Sequence, residues 1–281
     1  MDTVEHEIGI VGLGLIGGSL ALALKKAGFN YIVGVDVDDT VCQDALTAKA
    51  LSKTSTDFQV LSNSSLIVLC VPLEAISDVF AKLKPILTPS TIITDVAGVK
   101  GPVIKWALSL PFPSNFIGGH PMAGREKGGF NSAIPDLFIN RPWILTPTEN
   151  TSDQTLEAVS EIITQTGAHV VTVPADEHDR QIAILSHLPH VLAASLMRIA
   201  SKEGRYDLAG PSWEDATRVA ASPSTMWTRI SLTNRNELID TIQQLEDELV
   251  YFRKALENED TTSLQHFFEE ARSIKTEKVG F

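Results

Sequence analysis

Ile8-Gly9-Ile10-Val11-Gly12-Leu13-Gly14-Leu15-Ile16-Gly17-Gly18-Ser19-Leu20 decides the fold. A short β-branched run enters a glycine-spaced turn and leaves it as an apolar helical pattern. In this spacing the first glycine, Gly12, permits a tight turn. The second, Gly14, lets backbone approach a pyrophosphate, and the third, Gly17, lets helix pack on strand. The helix that opens at Leu15 and Ile16 presents free N–H groups to phosphates. A second strand ends at Asp36, 19 residues past Gly17, where an acid can accept from a ribose 2′-hydroxyl. Gly12, Leu13, Gly14, Leu15, Ile16, Gly17 and Asp36 are therefore candidate dinucleotide-binding residues, and Val71 and Pro72, at the end of the next long strand, are placed with them. Asp36 repels a 2′-phosphate, and Val37-Asp38-Asp39 offers no cation for one. NAD is favoured over NADP. The plainer reading of Asp36 is a solvated carboxylate at a strand end.

Outward from this turn, short β-branched runs alternate with helical patterns as far as Val173. Ile8–Val11, Tyr31–Val35, Leu66–Val71, Thr91–Thr94, Phe116-Ile117, Trp143–Leu145 and His169–Val173 read as strands. Leu15–Ala27, Glu74–Leu83 and Ser152–Gln165 read as helices between them. The central strands are almost continuously apolar, as strands covered on both faces are. The alternation predicts an α/β fold, a doubly wound parallel sheet of the Rossmann type, over residues 1–173.

After Pro174 the strand signal stops, and residues 174–281 read as an all-helical domain. Ala175–Ser201 is a long apolar helix expected to bend near Pro189, because proline removes a donor and clashes with the preceding turn. Ser222-Pro223 is a helix start. The helix after it carries Leu238, Ile242, Leu245, Leu249, Phe252 and Leu256 at alternating spacings of four and three. That seam specifies contact along another helix, either within the chain or in a dimer.

Composition narrows the class of protein. Hydrophobic residues make up 43% of the 281 and charged residues 21%, an ordinary globular balance. Lys+Arg is 23 against Asp+Glu 35, a net charge of −12, which disfavours nucleic acid and anionic membrane as partners. The uncharged stretch Ile8–Leu24 is interrupted by five glycines, and its flank is acidic, so neither a membrane span nor a secretory signal is expected. Two cysteines, Cys42 and Cys70, are too few for a disulfide framework. A soluble cytoplasmic protein is expected.

Three further groups carry chemistry. Gly118-Gly119-His120-Pro121-Met122-Ala123-Gly124 follows a strand, and ligands of open α/β sheets bind off the carboxyl ends of strands. An imidazole there can remove a hydroxyl proton while hydride leaves the same carbon; otherwise His120 is a loop histidine bonded to backbone. Ser186-His187-Leu188-Pro189-His190, with Glu177, His178 and Asp179 upstream, raises the question of a metal. The histidine pair bridges a proline and no closed ligand set is evident, so no metal is expected, and a polar substrate pocket or helix packing remains. Thr217-Arg218-Val219 precedes Met226-Trp227. Arg218 can bind a carboxylate through two parallel hydrogen bonds, or pair with Glu214 or Asp215.

Taken together, GLGLIGGSL, DVAGVKG (Asp95–Gly101), FIGGHPMAG, ILTPTENT (Ile144–Thr151), SHLPH and the TR…MW pairing closely resemble the prephenate and arogenate dehydrogenase family of tyrosine biosynthesis, from Ile8 to about Leu256. The resemblance implies an NAD-dependent oxidoreductase whose helical domain forms a homodimer. It implies that His120 is the catalytic base, that Arg218 holds a substrate carboxylate, and that His190 and Trp227 shape the substrate pocket, with His187 beside them. Lys100, Arg125, Lys127 and Arg218 are candidate cations for a dianionic substrate. The implied reaction is oxidative decarboxylation of prephenate, favoured by a histidine at position 190, with arogenate or dual use as the alternative. Two positions depart from the family pattern. Gly98 stands where many members have a serine that assists the histidine, and Arg125 where many have a small hydroxyl residue. No regulatory domain is expected after the helical half, so tyrosine feedback would act at the active site or the dimer contact.

Competing classes fit less well. β-Hydroxy-acid dehydrogenases need a helix lysine in a glycine-rich motif, which is not found after Pro174, and nucleotide-sugar dehydrogenases need a cysteine in their later domain. A non-catalytic NAD sensor is the alternative of a different kind.

Overall fold

A computed structural model describes residues 7–125 and 127–278. Eight strands form one sheet in the order β3-β2-β1-β4-β5-β6-β7-β8. They are β1 (Ile8–Val11), β2 (Ile32–Val35), β3 (Lys53–Ser55), β4 (Leu66–Leu69), β5 (Ile92–Asp95), β6 (Phe116–Pro121), β7 (Pro142–Thr146) and β8 (His169–Thr172). Five helices follow the strands: α1 (Leu15–Lys26), α2 (Asp39–Thr47), α3 (Ile76–Leu83), α4 (Gly101–Ala107) and α5 (Asp153–Thr164). Alternate side chains on a strand point to opposite faces. Ile10, Ile32 and Val68 accordingly join one core with Leu20, Leu24 and Trp143. Val11, Val33 and Ile67 join a second core with Phe80, Leu83 and Val103. Covering on both faces is why β1, β2 and β4 read as almost continuous apolar runs.

The sheet is mostly parallel, as the alternation predicts, with one antiparallel pair. β7 runs antiparallel to β6, with Ile144 opposite His120, and β8 then pairs parallel to β7. Among the described residues, the β6–β7 connection carries one 3-10 turn, Phe130–Ser132, and no α-helix. A parallel return needs a full crossover, usually a helix, and without one the chain comes back antiparallel. His120 itself lies on β6, whose pairing continues through the GGHP segment, rather than in a loop beyond it.

The remaining helices are α6 (Ala175–Ile182), α7 (Leu188–Glu203), α8 (Pro211–Thr217), α9 (Ser224–Thr233), α10 (Arg235–Glu257) and α11 (Thr261–Lys278). The chain packs as two units. One runs from β1 through Ile182 and includes Ser222–Thr233; the other comprises Ala183–Ala221 and Asn234 through α11. The division falls later than the composition change at Pro174 because α6 packs on α4. Between α6 and α7 a π-helical turn, Ala183–His187, interrupts the helix, and Pro189 sits in the first turn of α7, where its missing N–H is tolerated. The whole stretch Ala175–Lys202 is long and apolar enough, by length and composition alone, to cross a membrane. It nevertheless carries the buried polar residues His178, Asp179 and His187.

Within the second unit the leucine seam of α10 divides. Leu238 is buried, and Phe252 packs its ring against Phe267 and Phe268 of α11 at centroid distances of 5.0 and 5.7 Å. Leu249 and Leu256, on the same seam, are 56% and 52% exposed.

Candidate active site

The strand order reverses direction between β1 and β4, and the crevice beyond their carboxyl ends is where such sheets bind ligands. Gly12 turns the chain there with φ +90°, and a Cβ at Gly12 would lie 2.6 Å from the Cys70 carbonyl oxygen. At Gly17 a Cβ would lie 1.9 Å from the Gly12 carbonyl oxygen, so α1 could not pack so closely on the turn. A Cβ at Gly14 would meet nothing within 4 Å, so the loop is open on that side. Gly14 also caps α1 without a side-chain hydrogen bond, leaving the first N–H groups at Leu15 and Ile16 to be met by a ligand. Asp36 is locked at the rim: Oδ2 accepts from Leu13 N–H at 2.7 Å and Oδ1 from Asp38 N–H at 3.0 Å. These residues fit the pyrophosphate and diol-bearing ribose of NAD, and the fixed carboxylate opposes a 2′-phosphate. Val71 and Pro72 follow β4 at the adjoining edge of the crevice.

A hydrogen-bonded circuit holds the carboxyl ends of β5 and β6. Asp95 closes β5, and its Oδ1 accepts from Gly119 N–H at 3.1 Å while Oδ2 accepts from Ala97 N–H at 2.9 Å. The Lys100 ammonium donates to Asp95 Oδ2 at 2.5 Å and to the Gly119 carbonyl at 2.6 Å, and both side chains are fully buried. Burial pulls the Lys100 ammonium below its ordinary pKa, against the opposing pull of Asp95 and Asp179. Asp179, from α6, accepts from the N–H groups of Lys100 and Gly101 at 2.7 and 2.8 Å and so ties down the start of α4. The other groups on this path are His178 and His120. His178 Nδ1 lies 2.8 Å from Asp179 Oδ1, and His178 Nε2 lies 2.9 Å from His120 Nδ1. Burial works against ionisation of Asp179, but the hydrogen bonds from His178, Lys100 and Gly101 outweigh it and hold the carboxyl below its ordinary pKa.

His120 is half-buried, and its Nε2 edge lies toward Gly98, where a Cβ would be 3.6 Å from Nε2. Lys100, expected as a cation for substrate, is instead spent on Asp95 and Gly119. His178 and Asp179, read in the sequence as part of a metal question, form this chain of hydrogen bonds. One signal could have found the buried pair: Asp95 ends a strand and Lys100 opens a helix five residues later, in one short turn.

The other expected residues fall in several places. Arg125 is exposed, donates from Nη1 to the Ser132 carbonyl at 2.9 Å, and lines a cavity of about 480 Å³ with Met122, Asp136 and Arg141. Trp227 is half-buried on α9. In the helical unit, His190 Nδ1 lies 3.0 Å from the Ser186 carbonyl. A carbonyl only accepts, so that nitrogen carries the proton and Nε2 has the lone pair. Burial lowers the His190 pKa from its ordinary value, and the Arg218 charge adds to the lowering while the Ser186 bond opposes it. Arg218 is exposed and, among the described residues, forms no ion pair with Glu214 or Asp215. His187 is 3% exposed, with Nδ1 3.3 Å from Asn234 Nδ2. Burial raises the thiol pKa of both Cys42 and Cys70, the wrong direction for a nucleophile.

Two family descriptions match the chain. "Prephenate dehydrogenase, nucleotide-binding domain" covers residues 20–172, starting after the glycine turn, and "Prephenate dehydrogenase, dimerization domain" covers residues 174–270. A prephenate dehydrogenase of Bacillus subtilis is 33% identical over 98% of this chain and 76% of its own length. The crystal structure of prephenate dehydrogenase from A. aeolicus in complex with hydroxyphenyl propionate and NAD+ superposes with a TM-score of 0.90 at 27% identity, covering 97% of this chain and 98% of that one. The structure of Synechocystis arogenate dehydrogenase gives 0.87 at 31% identity, covering 96% and 98%.

Proposed function

The chain belongs to the prephenate dehydrogenase family, and from that premise we propose how its own residues convert prephenate to 4-hydroxyphenylpyruvate. It is an NAD-dependent dehydrogenase. The single observation that carries the assignment of roles is the position of His120, at the end of β6 with Nδ1 committed to His178. Bound at the glycine turn, NAD supplies the hydride acceptor, and the remaining work falls to this chain's side chains.

His120 takes the proton from the ring 4-hydroxyl through Nε2 as C4 is oxidised. Carbon dioxide then leaves C1 and the ring becomes aromatic. Aromatisation makes that stage downhill, so the protein's task is chiefly to hold base and reacting carbon in register. Arg218 receives a substrate carboxylate, for which its planar fork is suited. His190 and Trp227 bound the substrate. Arg125 supplies a second exposed cation, whereas His187, expected among the substrate-binding residues, is buried beside Asn234 and shapes the turn before α7. Gly12 through Gly17, Asp36, Val71 and Pro72 hold the cofactor.

A second reading has one specific observation behind it. Neutral His190 with its proton on Nδ1 makes Nε2 an acceptor, which suits the ammonium group of arogenate better than the keto group of prephenate. Steady-state formation of NADH, measured side by side with the two substrates, decides between them. A larger kcat/KM with prephenate is expected. No NADH with either substrate, from protein that still binds NAD, would leave only a cofactor-binding sensor.

The enzyme works in this reading as a cytoplasmic homodimer joined through the helical unit. Support comes from the matched dimerization domain and from exposed Leu249 and Leu256 on the seam of α10. Leu249→Glu with Leu256→Glu should shift the protein to monomer in light scattering; an unchanged mass would place the contact elsewhere.

A further inference from the structure

We propose that His178 and Asp179 are positioning residues which fix the tautomer of His120 and stabilise the positive charge it acquires. The inference rests on the reading of His120 as base and adds to it what makes that imidazole basic at the correct nitrogen.

The reasoning starts at two backbone amides. Lys100 N–H and Gly101 N–H can only donate, and both point at Asp179, one to each carboxylate oxygen, at 2.7 and 2.8 Å. Asp179 is held as an acceptor, and its carboxyl is kept below its ordinary pKa by these bonds together with that from His178. The nitrogen 2.8 Å from Asp179 Oδ1, His178 Nδ1, must therefore be the donor. With one proton, placed on Nδ1, His178 has its lone pair on Nε2. His120 Nδ1, 2.9 Å away, then carries the hydrogen of that contact. The remaining nitrogen of His120, Nε2, is left with the lone pair, on the edge that lies toward Gly98. Two main-chain donors at the start of α4 thus determine, through three side chains, which nitrogen of His120 is the base.

The chain also answers the charge that the reaction creates. When His120 Nε2 takes a proton, its Nδ1–H bond to His178 strengthens, as does the bond from His178 to the Asp179 carboxylate. Side chains in the middle of this path are shielded from water: that of His178 is 0% exposed and that of Asp179 11%. Bonds to charged groups count for most where water is excluded. The logic is that of an orienting carboxylate behind a catalytic histidine, here with a second imidazole interposed. The two rings meet edge to face, 5.1 Å between centroids at 68°.

The experiment compares His178→Gln, His178→Asn and His178→Phe. Glutamine is long enough to accept from His120 and donate to Asp179; asparagine is polar but too short, and phenylalanine can do neither. Asn and Phe should lower kcat by roughly 100-fold, the typical contribution of a correctly held general base, with KM and the NAD dissociation constant within about twofold. Gln should recover tenfold or more of that loss. In long-range 1H–15N spectra of protein without cofactor, the His120 ring should show an unprotonated Nε2 in the wild type and a mixture of tautomers in Asn and Phe. Wild-type kcat in both Asn and Phe, or a His120 tautomer indifferent to residue 178, overturns the proposal. His120→Asn separates the two layers. If it retains turnover, the base assignment itself falls. If it abolishes turnover while all three His178 variants behave as wild type, only the positioning role is lost.

Discussion

The ammonium of Lys100 donates to the carbonyl of Gly119 at 2.6 Å, one residue before the imidazole of His120. With its second bond, to Asp95 at 2.5 Å, Lys100 clamps the ends of two neighbouring strands under the site. Lys100→Met would remove the cation and leave Asp95 buried without its charge partner. Breaking such a pair from one side costs about 3–5 kcal/mol. A fall of that size in unfolding free energy by urea titration is expected, together with reduced kcat. A loss below about 1 kcal/mol would mean that the clamp contributes little.

Gly98 lies where a side chain would face His120 Nε2. A Cβ there would sit 3.6 Å from that nitrogen, ordinary van der Waals contact, so a side chain can begin there without its Cβ displacing the ring. Its hydroxyl can orient both the imidazole and the reacting hydroxyl. Gly98→Ser should raise kcat by roughly three- to tenfold through better alignment, with NAD affinity unchanged. Equal or lower turnover would refute the idea that the glycine leaves alignment to be gained.

In the proposed reading Asp36 selects the cofactor. Asp36→Ala removes the acceptor for Leu13 N–H and the partner for a ribose hydroxyl. A hydrogen bond to a charged group contributes about 1.5–3 kcal/mol, so calorimetric NAD affinity should weaken by roughly 10- to 150-fold. The preference for NAD over NADP should narrow at the same time. Retention of that preference would show that discrimination lies elsewhere in the crevice.

His190 makes stability depend on pH in a definite direction. Burial, with Arg218 nearby, sets its folded pKa below its ordinary value of 6.5. Between those two values the unfolded chain binds the proton more readily than the folded one. The stability tied to neutral His190 is therefore complete above pH 6.5 and lost as pH falls below it, until the folded pKa is passed. Thermal unfolding of wild type and His190→Asn, compared between pH 7.5 and pH 5, should show the wild type losing more. A difference that stays constant with pH would contradict this.

Much of the fold could be read from the residues in order. The strands buried on both faces, β1, β2 and β4, are legible because almost continuous apolar runs are what a doubly covered strand requires. β3 has no signal in the sequence because Lys53-Thr54-Ser55 is a polar strand at the edge of the sheet, with no apolar run to mark it. The reversal at β7 is likewise not legible, since alternation reports where strands occur and not which way they run. The sequence predicts a bend near Pro189, but the helix departs from α geometry a turn earlier, at the π-helical Ala183–His187.

For the site, the residue order by itself determined the glycine turn, Asp36 and the candidate histidine, because these depend on backbone geometry over short stretches where spacing is the physics. The tertiary structure alone decided what stands behind them. His178 is 58 residues from His120, and Lys100 is 79 from Asp179. Lys100 read as a cation waiting for substrate, and folding buried it on Asp95 and Gly119 instead. Whether a charged side chain meets ligand or structure depends on burial and on which distant groups arrive beside it. Those are properties of the packed chain, set when α6 comes to rest on the start of α4.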